Sequence, residues 1–343
     1  MKKMMSLALA MMMLMGILCV PAAAEDIPQP KIGTLSYLNM TEEQENLVGP
    51  NIRQLPVRLL FLDGVFEWKN GSRSGNYFPY NYHFDTLNAL LMALEARGVD
   101  AIRVPYYTAR YLCSTNDTMD LTIEYHPEKA NEICQWALGV LSDGYSFMMK
   151  ENNAALRDAF DEQITAMKED GTLQQLIDEH IIRAAETGKT VAVEFVQFAG
   201  APIKIAVTGS LPPMDYVAAD GSFAGFNTAV LAEIGRRMNR NIQLVQVDSM
   251  GRALALAEGA VDAVFWTRSV SEDLAEHRTA GESVENVIAK YQETMTDEEK
   301  AVFDSTEIPD EETISLMDHR DMPAGTIITQ PFFSDFPAVV VLK

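Results

Sequence analysis

Cysteine, histidine and tryptophan are scarce in this chain, at three, five and three residues in 343. Cys19 lies in an apolar leader, so Cys113 and Cys134 alone remain, enough for one disulfide or for two buried thiols. Neither pattern is a disulfide framework. His83, His126, His180, His277 and His319 show no metal-ligand spacing and no pairing with cysteine, so no metal and no cofactor are expected. Nucleophile elbow, phosphate loop and dinucleotide fingerprint are all missing, and no enzyme motif is present. Basic side chains are outnumbered 27 to 49. That imbalance repels nucleic acid and anionic lipid alike, which makes both poor candidates as partners, and no nucleic acid is expected.

What is present begins with a leader. Residues 1–24 carry Lys2 and Lys3, no acid, an apolar run from Met4 to Val20, and Ala22-Ala23-Ala24. This is the layout of a secretory signal cleaved after Ala24. Removing its 24 residues and two lysines leaves 319 residues with 25 basic and 49 acidic side chains. No later run is long and apolar enough to cross a bilayer, so a secreted or periplasmic protein without membrane insertion is expected. At 48% hydrophobic content the mature length fits one large or two medium domains.

Strand and helix patterns alternate along that length. Lys31–Leu35 reads as a strand, and Thr41 as a helix cap. Residues 50–84 are rich in Asn, Gly, Pro and aromatics and read as strand plus loop. Leu87, Leu90, Leu91 and Leu94 repeat at helical spacing up to Gly98, and a strand follows at 99–104. Tyr145–Met149 is a further strand, with amphipathic helices over 153–169 and 172–183. Beyond a link at 184–199 the pattern restarts: strand 203–207, a turn at 209–213, helix 225–238, strand 242–247, helix 252–258 and strand 261–265. Residues 270–320 are acidic and read as an exposed helical face. The stretch ALEARGVDAI (93–102) is echoed by ALAEGAVDAV (255–264). A helix–glycine–strand unit used twice predicts an α/β fold with two related parallel-sheet lobes. Asp100 and Asp262, at the starts of their strands, are expected to be structural.

The segments IKIAVTGSLPPMDYVAADGSFAGFN (203–227), LAEIGRRM (231–238) and ALAEGAVDAVFWTRSVSED (255–273) resemble the first lobe of the extracellular solute-binding proteins, family 3, the amino-acid-type receptors of ABC importers. YSFMMKENNAALRDAFDEQITAMKEDGTLQQLIDEHI (145–181) resembles that family's closing helices. MPAGTIITQPFFSDFPAVVVLK (322–343) is similar to its crossing from first lobe to second. The resemblance implies a two-lobed periplasmic-binding-protein-like (type II) fold with a ligand cleft. Its lobes here stand in circularly permuted order: a smaller lobe over 25–150, closing helices and hinge over 151–199, and a larger lobe over 200–343. A monomer is expected, and a domain-swapped dimer fits the same order of segments.

The resemblance also implies a function: a receptor that captures a small polar solute, an amino acid or related molecule, by hinge closure and passes it to an ABC transporter permease. Yet the family's carboxylate-binding Arg falls at Leu274 and its ammonium-binding Asp at Pro105, while its stacking aromatic falls at Ser249. The residues left to line a cleft are Met214, Asp215, Arg252, Trp266, Thr267, Arg268 and Ser269 on one side. Ser36, Tyr37, Asn39 and Tyr106 stand on the other. Two alternatives stay open: a degenerate receptor-like domain that binds a protein, and a dehydratase or lyase using Glu67 or Asp215, whose pKa would have to be raised.

Overall fold

Two mixed sheets of like plan organise the chain. In the computed structural model, residues 31–35, 51–69, 81–249, 251–269, 289, 292–304 and 322–343 are described. The expected leader and cleavage site after Ala24, Thr41 and most of 270–320 lie outside them. Lys31–Lys343 form one compact unit. No helix among the described residues is long and apolar enough to cross a membrane.

The strands are β1 (Ile32–Leu35), β2 (Phe66–Trp68), β3 (Asn81–Phe84), β4 (Ala101–Pro105), β5 (Met119–Leu121), β6 (Ile123–Tyr125), β7 (Asp143–Lys150), β8 (Ile203–Val207), β9 (Ser210–Leu211), β10 (Asp215–Val217), β11 (Phe223–Ala224), β12 (Ile242–Gln246), β13 (Ala263–Ser269), β14 (Thr326–Ile328), β15 (Phe333–Asp335) and β16 (Pro337–Leu342). The helices are α1 (Asn51–Leu62), α2 (Leu87–Glu95), α3 (Tyr106–Thr115), α4 (Glu132–Leu141), α5 (Ala154–Glu169), α6 (Thr172–Ile177), α7 (Arg183–Thr187), α8 (Phe226–Met238), α9 (Gly251–Ala257) and α10 (Asp297–Asp304).

The first sheet runs β3-β1-β4-β16-β5 and the second β12-β8-β13-β7-β14, with β15 continuing beside β7. In the first, β1 is parallel to β3 and β4, and β16 is antiparallel to β4 and β5. In the second, β8 is parallel to β12 and β13, and β7 is antiparallel to β13 and β14. Each sheet is therefore three parallel strands, one antiparallel intruder and a short closing strand. The intruders are exchanged: β7 leaves the first half to enter the second sheet, and β16 returns to the first.

Burial explains these strands. Residues 144–149 are all buried, as a strand covered on both faces requires. The repeated Val-Asp-Ala opens β4 and β13 in the same way. Asp100 Oδ2 accepts the Lys31 N–H at 2.7 Å, and Asp262 Oδ2 accepts the Lys204 N–H at 2.8 Å. In each sheet the third strand thus holds the start of the first. α2 is capped by Thr86, whose hydroxyl accepts the Ala89 N–H. α5 follows β7 and packs against β7, β14 and α8 of the second sheet.

Three expectations need correction. Residues 51–62, read as strand and loop, form helix α1 despite Pro56 within it. Val57, Leu59 and Leu60 are buried, and that apolar face outweighs the local composition. The helix expected over 172–183 runs on to Thr187 as α6 and α7, joined by a π turn at 178–182. The strand expected to end at Phe265 continues to Ser269, so Trp266–Ser269 lie within it rather than past its end. Cys113 and Cys134 are both free thiols. Cys134 Sγ donates to Asp63 Oδ2 at 3.1 Å, and burial pushes its pKa up to about 12.

Candidate functional site

In parallel sheets, ligands collect where strand ends and the following turns point outward together. In the second sheet these ends carry Thr208, Gly209, Gln246, Ser249 and Arg252. β8 stops because Asp215 reaches back from β10. Its Oδ2 accepts the N–H groups of Thr208 and Gly209 at 3.0 Å each and the Thr208 hydroxyl at 3.2 Å. Gly209 has φ +66°, and a Cβ there would lie 2.8 Å from Val217 Cγ2, so glycine is needed for this close turn. Asp215 is fully buried and its Oδ1 has no hydrogen-bond partner. Burial pushes its pKa up to about 6, against the pull of the three hydrogen bonds and the Arg252 charge.

Arg252, in α9, is not an arginine stretched outward into solvent. It is 3% exposed; its Nε donates to the Ser249 carbonyl at 3.1 Å and its Nη1 to the Phe265 carbonyl at 3.2 Å. The guanidinium thus sits between the turn after β12 and the middle of β13.

The first sheet ends differently. Pro105 closes β4 and serves as the N-cap of α3 with no side-chain cap bond. The Tyr106 N–H donates to the Phe336 carbonyl, and the Tyr107 N–H to Asp335 Oδ2 at 3.1 Å. Tyr106 is buried and its ring stacks on Phe336 with centroids 4.8 Å apart. It therefore packs within an aromatic cluster. The N-terminus of α8 is likewise occupied: the Phe226 and Asn227 N–H groups donate to the Pro213 and Met214 carbonyls. The first two amides of each helix are thus occupied.

Met214 is fully buried and belongs to the core. Trp266, Thr267, Arg268 and Ser269 stand on β13, where pairing with β7 shifts between Trp266, opposite Ser146, and Ser269, opposite Gly144. Ser36, Tyr37, Asn39 and Leu274 lie outside the described residues. The two halves meet at the rim, where the Ser249 hydroxyl donates to the Asp85 carbonyl at 3.3 Å.

Sequence reasoning missed Asn227, fully buried in the first turn of α8 with both amide atoms lacking a hydrogen-bond partner. An asparagine inside an apolar helix face was the available signal. It also missed Asp335, which is 4% exposed and unpaired at Oδ1. Of the acids weighed for catalysis, Glu67 is unsuited. Lys129 Nζ lies 2.6 Å from its Oε1 and holds its carboxyl below the usual range, the opposite of what a general acid needs. Glu67, Glu124 and His126 bring possible metal-ligand atoms within 4.8 Å of one another on the β2–β6 pair, but the Lys129 ammonium already occupies that side of Glu67.

Residues 203–286 match the model of bacterial extracellular solute-binding proteins, family 3. No curated protein matches the chain. Among solved structures, it is similar to a ligand-binding component of an ABC-type import system from Staphylococcus aureus with zinc bound, at 9% identity and TM-score 0.35, covering 91% of this chain and 65% of that one. The chain thus spans just under two thirds of the staphylococcal protein. It is also similar to a phosphate-binding protein of a phosphate ABC transporter from Streptococcus pneumoniae TIGR4, at 11% identity and TM-score 0.32, covering 92% and 89%. A third is the GluR0 ligand-binding core from Nostoc punctiforme in complex with L-glutamate, at 8% identity and TM-score 0.32, covering 92% and 85%.

Proposed function

We propose, from the match of residues 203–286 to the model of family 3 extracellular solute-binding proteins, that the protein is an exported receptor. It captures a small polar solute between its two sheets and delivers it to the permease of an ABC importer. The observation that carries this reading is the buried Arg252 guanidinium at the second sheet's strand ends, inside the matched segment. A solute bearing a carboxylate or a strong carbonyl acceptor suits that cation. A standard free amino acid suits the site poorly, because Leu274 and Pro105 stand where its two charged groups would be gripped. Solute touching both halves favours the closed arrangement and shifts the population towards it.

The permuted order belongs to the same reading. The two sheets share one plan, so strand order alone fits either half coming first. The match at 203–286 and the helices after β7 favour the second sheet as the family's first lobe.

A thermal-shift panel of amino acids, dipeptides, sugars and nucleosides tests the function, repeated in Arg252→Gln and Arg268→Ala. A ligand at a hundred times its Kd adds about 2.7 kcal/mol. An anionic solute that stabilises the chain, fails on Arg252→Gln and compacts the protein in small-angle scattering is the expected result. A flat panel overturns the reading and turns the search to protein ligands. For the permutation, a chain rebuilt with 200–343 ahead of 25–199 is expected to bind the same solute, and loss of folding counts against it.

A further inference from the structure

Where the chain crosses between the sheets, a cavity of about 460 Å3 lies between α3, β6 and α4 on one side and α5 and α6 on the other. That volume falls within the range of small-molecule sites. Its walls include Tyr107, Tyr125, Leu138, Ile177, Phe333 and Phe336. Ser142, Lys168, Gln174 and Ser334 add polar groups to this lining, and its one acid is Asp335, which is 4% exposed. Its Oδ2 accepts the Tyr107 N–H, which serves the start of α3, whereas its Oδ1 has no hydrogen-bond partner. A buried acceptor of this kind asks for a donor.

The charge around Asp335 points the same way. Asp143 stands directly opposite it in the β7–β15 pairing, which places two carboxyls on one face of the crossing ribbon. Burial and, less strongly, Asp143 push the Asp335 carboxyl well above the usual range, so it is neutral until a bound cation favours its ionised form. Lys168 belongs to the lining of the cavity itself, while Arg103, with Asp143 and Asp335, borders an adjoining cavity of about 30 Å3. The Lys168 ammonium donates to Gln330 Oε1 at 3.2 Å and to the Pro331 carbonyl at 3.1 Å.

We propose that the crossing cavity binds a small protonated primary amine, its ammonium donating to Asp335 Oδ1 and its alkyl part lying among the aromatic rings. The aromatic faces attract a cation, and the unpaired oxygen selects one that carries N–H. A quaternary ammonium meets the first condition and fails the second. This proposal does not rest on the receptor reading.

Calorimetric titration of the chain with n-butylammonium and with tetramethylammonium tests it, in the wild type, Asp335→Asn and Leu138→Trp. The asparagine keeps an acceptor for the Tyr107 N–H but loses the charge. The tryptophan fills the cavity without touching Asp335's bond to α3. Butylammonium is expected to bind the wild type, to weaken about tenfold or more in Asp335→Asn, and to be lost in Leu138→Trp, while tetramethylammonium does not bind. Absence of butylammonium binding to the wild type overturns the proposal, as does unchanged binding in Asp335→Asn or equal binding of tetramethylammonium. Should Asp335→Asn not fold, Leu138→Trp decides, since binding retained in a filled cavity also overturns it. A cleft ligand sensitive to Arg252→Gln and indifferent to Leu138→Trp keeps the two sites distinguishable.

Discussion

The two sheets are built on one plan and finished in two chemistries. Each has three parallel strands, an antiparallel intruder and an aspartate holding the first strand to the third. At the strand ends the likeness stops. The second sheet presents Thr208, Asp215, Gln246 and a buried Arg252. Among the described residues, the first presents Phe84, Pro105 and Tyr106, with Tyr106 stacked into an aromatic cluster. The lesson is where a repeated unit is free to change. Strand interiors are fixed by what they bury and by ladder hydrogen bonds, so they stay alike. Strand ends need only stop the strand, and either a carboxylate on two amides or a proline does that.

That comparison can be broken at its shared part first. Val340, fully buried in β16, lies between β4 and β5. Val340→Asp buries an unpaired charge and is expected to abolish folding of both halves in one step. Loss of helical circular dichroism across the whole chain checks this, and an independently folded second half argues against the exchange as a unit.

The polar side is broken at Arg252. Arg252→Met strands the buried carbonyls of Ser249 and Phe265 and is expected to cost about 3 kcal/mol in a urea titration. Its partner in the local field gives a pH signature. The Asp215 carboxyl, near 4 when unfolded and about 6 when folded, holds its proton longer in the native state. Its contribution is therefore full below about pH 4. It is lost as pH rises through about 6, on the order of 2 kcal/mol in all. Asp215→Asn removes that fall, so its melting temperature measured against the wild type should improve from pH 5 to pH 7.5.

The smallest effect sharpens the likeness. Asp100→Ala and Asp262→Ala each remove one brace and should cost about 1 kcal/mol apiece. The double variant should lose the sum, because the two sites share no partner. Unequal losses would mean that one half depends on its brace more than the other.

Much of the fold was legible in the sequence. The spacing of Leu87, Leu90 and Leu94 marked α2, and the repeated Val-Asp-Ala announced that one unit was used twice. α1 escaped because Pro56 and the aromatic, glycine-rich run after it mask a helix whose evidence is tertiary, in the burial of Val57, Leu59 and Leu60. The exchange of β7 and β16 left no local trace, since pairing partners so far apart in the chain write nothing into their neighbours. At the site, Arg252 and Asp215 were nameable from the resemblance, yet only packing reveals that the arginine is buried. Asp335 sits in a run of phenylalanines and prolines where an acid reads as a solvated turn. Its importance comes from what surrounds it in space.

The exchanged strand also sets the order in which the molecule can be finished. The Thr122 N–H and hydroxyl, beside β5, both bond the Val339 carbonyl, 217 residues later in the chain. The sheet whose strands leave the ribosome first cannot close until β16 has been made. Contacts of such long range slow folding. A polypeptide arranged in this way stays open through synthesis, a state in which it can still be threaded.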